Sequence, residues 1–368
     1  GQAHLSYTGE FTSRLVPSYS NFDILDSKEQ MGIYRELADK GWLNFSEVLN
    51  GSEYGVYGKM YELLNKYNKT TGRFALDNTT EAKNRYLQAA EFRNTNWFGQ
   101  LFSSNIMQNH SISLSGGTQT SNYYASLSAM IDPGWYKQSN VNRYTINLNL
   151  TQHLTDNLSL NLIGGAAYRK QRAPGTLGQD VDVVGGEVKR DFDINPYSYA
   201  SNTSRVLDSN EYYLANFAPF NIFNELNNNY IDLNVIDAKF QLELKYKPIK
   251  GLELSALGAF KYMTSTQEHN VKDNSNQALA YRAMSNGIIR EANKYLYTDP
   301  SNPYVLPMPV LPYGGLYHKG DNRMTDFDIR TTANYNHTFA EKHIMNFFAG
   351  MEIKSIERQR NTFEGTGL

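Results

Sequence analysis

The chain has 368 residues, no Cys and a net charge of −2, which excludes disulfides and thiolate metal sites and leaves no electrostatic case for nucleic acid. Mean hydropathy is −0.56 and no stretch approaches the roughly 18 apolar residues of a membrane-crossing helix. Tyr is abundant, 27 residues against 3 Trp, as in the aromatic belts of membrane barrels and equally in Tyr-rich extracellular binding proteins.

Ala3, Leu5 and Tyr7 alternate with His4, Ser6 and Thr8, which predicts a first strand. Residues 17–107 then lose the period of two. Ser27-Lys28-Glu29-Gln30 reads as a capping box with Ser27 as N-cap. The helix it opens should carry Met31, Tyr34, Leu37 and Ala38 on one face and stop at Gly41. Three further sets have helical spacing: Tyr57, Met60, Tyr61 and Leu64; Ala82, Tyr86, Ala89 and Ala90; Trp97, Phe98, Leu101 and Phe102. The segment is expected to be a folded excursion of short helices.

Residues 108–170 form the clearest pattern. Ile112 and Leu114 alternate with Ser111, Ser113 and Ser115. Tyr123, Ala125, Leu127, Ala129 and Ile131 follow, then Tyr144, Ile146, Leu148 and Leu150, then Leu158, Leu160 and Leu162, each alternating with polar residues. Period two means strands with one apolar and one polar face. Runs of ten or more exceed an ordinary sandwich strand and suit a tilted crossing of a bilayer. An irregular stretch, 171–229, comes next. Ile236, Ala238, Phe240, Leu242, Leu244 and Tyr246 then mark a strand, Pro248 to Gly251 a turn, and Leu252, Leu254, Ala256, Phe260 and Tyr262 a second strand. Residues 270–322 hold Pro300, Pro303, Pro307, Pro309 and Pro312, a density that favours extended chain over helix. The last hairpin turns Phe327, Ile329, Ala333 and Tyr335 outward, bends near Glu341-Lys342 and resumes with Met345, Phe347, Ala349, Met351 and Ile353.

After the first strand the connections run long, short, medium, short, long, short, long, short. Outer-membrane barrels have short turns at one end and long loops at the other. The expected architecture is therefore all-β: a partial transmembrane, antiparallel, up-and-down barrel of about nine strands. Its long extracellular loops, 17–107, 171–229 and 270–322, should contain short helices. Nine strands leave two open edges, so the sequence is expected to be part of a barrel or completed by another chain. No signal peptide opens it, so Gly1 is expected not to be the native start.

The stretch TNWFGQLFSSNIMQNHSISLSGGTQTSNYYASLSAM, 95–130, resembles the start of the barrel in SusC/RagA-type TonB-dependent transporters. Trp97-Phe98, His110 to Gly117 and Tyr123-Tyr124 carry that resemblance. Asp132-Pro133-Gly134, Arg143-Tyr144 with Asn147 and Asn149, RDFDINPYSYASNTSR at 190–205 and YRAMSNGIIREANKYLYTDP at 281–300 extend it. The resemblance implies the N-terminal part of a barrel, beginning just after a plug. The TonB box, the plug and the C-terminal strands of that family are not seen. It also implies an outer-membrane importer of a Gram-negative cell, energised by TonB-ExbB-ExbD through the missing region. A SusD-like surface lipoprotein would be its lid, and oligosaccharide or oligopeptide its cargo.

Chemical motifs point away from catalysis, and neither an enzyme nor a cofactor is expected. There is no H-E-x-x-H and no G-x-S-x-G. GSEYGVYGK, 51–59, is superficially similar to a P-loop, but its glycines are misplaced and Met60 stands where Ser or Thr is needed. His337 and His343 flank one turn, where a shared metal is one reading and ordinary polar turn residues the plainer one, so no metal site is expected. Asp180, Asp182, Glu187, Asp191 and Asp193 are acidic but lack calcium-loop spacing, and Lys189 and Arg190 interrupt them. A solvated loop is the plainer account. Trp135 and Tyr136, at a strand tip, are the candidate substrate-binding residues, with the outer aromatic belt as the alternative place for them. The rival function is an outer-membrane or surface binding protein of adhesin type, without transport.

Overall fold

The computed structural model describes residues 2–175, 180, 181, 188, 189, 192, 194–339 and 342–367. Among them, nine strands form one continuous antiparallel sheet in sequence order. They are β1 (His4–Ser13), β2 (Ile106–Gly117), β3 (Ser121–Asp132), β4 (Asn140–Thr155), β5 (Leu158–Pro174), β6 (Asn229–Ile249), β7 (Leu252–Val271), β8 (Leu316–Phe339) and β9 (His343–Thr366). Each strand pairs with the next, so the topology is up-and-down throughout. The long connections, 14–105, 175–228 and 272–315, fall at one end with the seven-residue link 133–139. At the opposite end the described connections are tight turns, at 118–120, 156–157 and 250–251. Gly251 takes φ +89° in its turn, and a Cβ there would strike the carbonyl oxygen of Asn336, so the bend needs glycine.

Register carries the apolar alternation across the sheet. Leu127 stands opposite Ile112 and Ile146, Leu148 opposite Gly164, Gly164 opposite Phe240, and Ile329 opposite Gly258 and Ile353. Opposed residues share a face, so one side of the sheet is a continuous apolar surface of exposed Leu, Ile and Phe. Tyr144 and Tyr168 pair at its loop-side margin, and Tyr246 and Tyr335 mark the turn-side margin. From Ile236 to Tyr246 is about 33 Å along the strand, or about 24 Å in height at a tilt near 45°. Above the band the same face turns polar. Arg172 forks onto Asp232 with two bonds of 2.7 Å, and Thr266 donates to Asp321 at 2.7 Å. The opposite face is polar at the same height, with Ser126, Asn147, Asn149, Asp237, Lys239, Asp326 and Arg330.

The strands outrun the periodic runs. β8 and β9 reach 24 residues each, and β5, β6, β7 and β8 extend into the stretches 171–229 and 270–322. In those extensions polar residues such as Gln171, Arg172, Lys319 and Asp321 interrupt the alternation while the backbone ladder continues. The first connection holds α1 (Ser27–Asp39), α2 (Phe45–Leu49), α3 (Val56–Asn65), α4 (Thr80–Glu91) and α5 (Trp97–Leu101). The second holds α6 (Pro196–Asn202) and α7 (Ile222–Asn228), and the third α8 (Asn276–Ala280) and α9 (Gly287–Ala292). Residues 300–312 form no helix among the described residues.

Two details correct the local reading. The N-cap of α1 is Asp26, not Ser27: Asp26 accepts from Glu29 N and the Glu29 carboxylate accepts from Asp26 N. Ser27 begins the helix proper, and its hydroxyl accepts from Asn94 N at 2.9 Å, sewing α1 to the end of α4. An aspartate one residue earlier offers the stronger acceptor, and a distant partner claims the serine. In α4, Ala89 is exposed, and Leu87 packs inward with Tyr86 and Ala90.

Asp182, Glu187, Arg190, Asp191 and Asp193 lie outside the described residues, as does Glu341 of the last turn.

Candidate functional site

The loops build a canopy whose two largest apolar cores come from the first and second connections. In one core, α1, α3 and α4 bury Met31, Val56, Tyr57, Met60 and Ala90 with Val206 of the second connection. In the other, α5 presents Trp97, Phe98, Leu101 and Phe102 to Ala200, Ile222 and Leu226. Helical spacing at 97, 98, 101 and 102 puts all four rings and side chains on one side of a short helix. Trp97 Nε1 donates to the Ser204 carbonyl at 3.1 Å, and Phe98 meets Tyr19, Phe22 and Tyr197 at 4.8–5.9 Å between centroids. Lys59 is buried, bridging Glu62 at 3.2 Å and Glu211 at 3.6 Å. It therefore faces the canopy interior and not a phosphate site.

Trp135 and Tyr136 sit where the 133–139 link meets this core. Trp135 Nε1 donates to the Leu15 carbonyl at 3.0 Å, and its ring lies edge-on to Phe102 at 4.9 Å and stacks with Tyr197 at 6.0 Å. Tyr136 pairs its backbone with Phe102, and burial raises the pKa of its hydroxyl. Both rings are half-buried at the rim between sheet and canopy. His337 stands across from Met345, and His343 across from Phe339, so the ladder does not place the two imidazoles opposite one another.

Beneath the canopy is a cavity of about 520 Å³ that the sequence did not reveal. All three long connections contribute: Glu53 and Tyr54 from the first, Tyr199, Asp208, Glu211, Tyr213 and Glu225 from the second, Asn276 from the third. Trp97, Phe192 and Phe220 give it apolar wall. Four carboxylates line it, two of them held by cations at its edge, Glu211 by Lys59 at 3.6 Å and Asp208 by Arg93 at 3.7 Å. Burial raises the phenol pKa of Tyr54, Tyr199 and Tyr213, so all three present neutral hydroxyls. The Tyr54 hydroxyl bonds to the Glu62 carboxylate. Such mixed aromatic and polar lining can take a peptide or sugar by stacking and hydrogen bonding. Its carboxylates are too far apart in sequence to form a motif, and only the packing of the loops assembles them.

The cavity floor rests on a buried polar junction that ties the canopy to the sheet. Asn229 Nδ2 donates to Gln277 Oε1 at 3.0 Å and to Glu225 Oε1 at 3.3 Å. Asn229 Oδ1 stands 2.7 Å from His269 Nε2, so that nitrogen carries the proton and donates. Asn276 N donates to Glu225 Oε2 at 2.6 Å. His269 lies seven residues beyond Tyr262, at the loop end of β7 and well clear of the apolar band. Burial lowers its pKa from 6.5 to about 4, and neighbouring His318 adds to the shift. Unfolding the junction therefore takes up a proton between those values. The contribution of His269 is complete above about pH 6.5 and declines as pH falls toward 4, by on the order of 2 kcal/mol at pH 5. Glu225 acts oppositely: burial raises its pKa, so its contribution is present below its unfolded value and lost as pH rises through the folded one. Hydrogen exchange at 225–229 and 269–277, corrected for intrinsic rate, is expected to quicken between pH 7 and pH 5. His269→Gln keeps a donor for Asn229 and should abolish most of that change. An unchanged pH response in that variant would assign the effect elsewhere.

No protein-family profile matches the chain, and no curated protein matches it. Solved structures do. The RagAB peptide transporter aligns over the whole of this chain with a TM-score of 0.55 at 15% identity. The RagAB peptide importer aligns with a TM-score of 0.58 at 16% identity in its closed-closed state and 0.55 at 15% in its open-open state. The chain spans 36% of the length of the RagAB chains it matches. At this identity the likeness is one of fold.

Proposed function

We propose that the chain forms part of the wall and extracellular canopy of an outer-membrane nutrient importer of the SusC type. The observation that carries this reading is the banded sheet. An apolar face about 24 Å high, edged by Tyr and polar above, matches the hydrocarbon thickness a barrel must cover. Long connections at one end only are what such a barrel exposes to the exterior. On this reading the opposite, polar face lines the passage, and the canopy cavity is a station for cargo near its mouth. Trp135 and Tyr136 stand at the rim of that route as candidate contacts. TonB-ExbB-ExbD would supply energy through a region outside this sequence. The RagAB structures support oligopeptide as one cargo class, and oligosaccharide remains the other. No step of the proposed role requires catalysis by this chain.

The third connection supports a lipoprotein lid of the SusD kind. It projects Tyr304, which is 96% exposed, with Leu306, Met308, Val310 and Tyr313 around it. Apolar and aromatic side chains clustered on a Pro-rich arm lose little entropy on docking, which suits a protein contact. Replacing Tyr304, Leu306 and Tyr313 together by Ser is expected to strip a co-purifying lid from the intact transporter, leaving the wall folded. Hydrogen exchange with and without the lid should show protection in at least two of the three long connections, and none at 156–157 or 250–251. Protection confined to those short turns would refute both the topology and the lid. Transport itself is tested by deleting the gene and measuring growth on peptide and glycan mixtures. Unimpaired growth and uptake on all of them would favour the adhesin-like alternative.

A further inference from the structure

Among the described residues, two cations that stand opposed on the polar face have no counter-charge. Arg143 on β4 and Arg169 on β5 stand directly opposite one another in the ladder, on the side shared by Thr145, Asn147 and Asn149. Like charges in opposed positions destabilise a sheet unless something compensates them. At three other positions on this face the ladder supplies that compensation. Lys261 meets Asp237 at 3.4 Å, Lys354 meets Asp326 at 3.7 Å, and Arg330 meets Glu352 at 3.1 Å. Arg143 and Arg169 form no ion pair and no side-chain hydrogen bond among the described residues, and Arg169 Nε is buried without a partner. Their outer neighbours in the same row are Met130 and Val235. The carboxylates of the adjoining rows, Asp132 and Asp237, are already engaged by Arg14 at 3.0 Å and by Lys261.

We propose that Arg143 and Arg169 are a carboxylate clamp on the polar wall. Cβ atoms opposed across a ladder lie about 5 Å apart, so two planar guanidinium forks can close on the two oxygens of one carboxylate. Partial burial of Arg169 lowers the local dielectric and strengthens the bond to an anion relative to one on an open surface. The carboxylate comes either from a solute moving along the wall or from a protein segment seated against it. The clamp rests on the proposed placement of this face along the passage.

The test is arginine footprinting with phenylglyoxal on the intact protein in native outer-membrane vesicles, read by mass spectrometry at Arg143. Arg143 is exposed on the wall itself, so burial cannot mimic protection, and Arg358, also exposed on this face, serves as the internal reference. Two solute pairs are compared: tripeptides with a free C-terminus against their C-terminal amides, and an oligogalacturonide against its methyl ester. About tenfold slower modification of Arg143 with either acid but not its neutral partner identifies a solute carboxylate, and corresponds to about 1.4 kcal/mol. The same protection without any solute, lost in the Arg169→Gln variant, identifies a seated segment. Modification at the Arg358 rate in every arm overturns the clamp. The footprint needs no uptake, so a failure of the importer reading would show separately, as absent transport with the footprint still readable.

Discussion

Replacing Leu148 with Arg is expected to cost about 2–4 kcal/mol of folding stability in lipid, while the same change at Asn149 costs far less. The two residues are adjacent on β4 and point to opposite faces. Leu148 pairs with Ala125 and Gly164, and its row continues through Phe240 and Phe260 to Phe327, midway between the Tyr margins. An arginine there has no partner in hydrocarbon and must distort the bilayer or draw water to itself. Asn149 pairs with Tyr124 and Ile163 on the face proposed for the passage, where an added cation stays hydrated. Folding titrations of the intact protein into lipid vesicles measure both variants. Equal costs would dismiss the assignment of faces, and with it the membrane reading of the sheet.

Phe98→Ala should cost about 3–5 kcal/mol, and the loss should be confined to the canopy. Phe98 is 0% exposed and fills the junction of the first and second connections, against Tyr19, Phe22, Phe102 and Tyr197. Its removal leaves a cavity that the rigid sheet below cannot collapse to fill. The strands are held by their own backbone ladders, so their stability does not depend on this ring. Hydrogen exchange should become fast in parts of 14–105 and 175–228 while β3 to β8 keep their protection. Equal loss of protection in strands and loops would mean that canopy and wall fold as one unit. Local opening without loss of the wall would make the canopy the separately stable element that gating motions require.

The two faces of the sheet were legible because the strand period is local. Each residue's side is set by its neighbours one and two positions away, so Leu148 and Asn149 could be assigned before any pairing was known. The helices of the first connection were legible for the same reason, through spacing at Tyr57, Met60, Tyr61 and Leu64 and at Trp97, Phe98, Leu101 and Phe102. The resemblance to SusC/RagA-type barrels rested on local strings of the same kind, and RagAB structures share the fold at 15–16% identity. The far end of β7 escaped notice because Thr264 to Asn270 is polar on both sides and has no period to read.

Tertiary structure alone decided the rest. Asp26 took the cap expected of Ser27 because Asn94, far along the chain, bonds the serine. Trp135 and Tyr136 stood out in sequence as a strand-tip pair, yet their surroundings are set by Phe102 and Tyr197 from other segments. Glu53, Asp208, Glu211 and Glu225 converge on one cavity only through the packing of three loops. Arg143 and Arg169 are 26 positions apart in number and become neighbours through the β4–β5 register. Period two determines which side of a strand a charge occupies. Which charge stands beside it is a property of register and loop packing, and those are settled by contacts between residues remote in sequence.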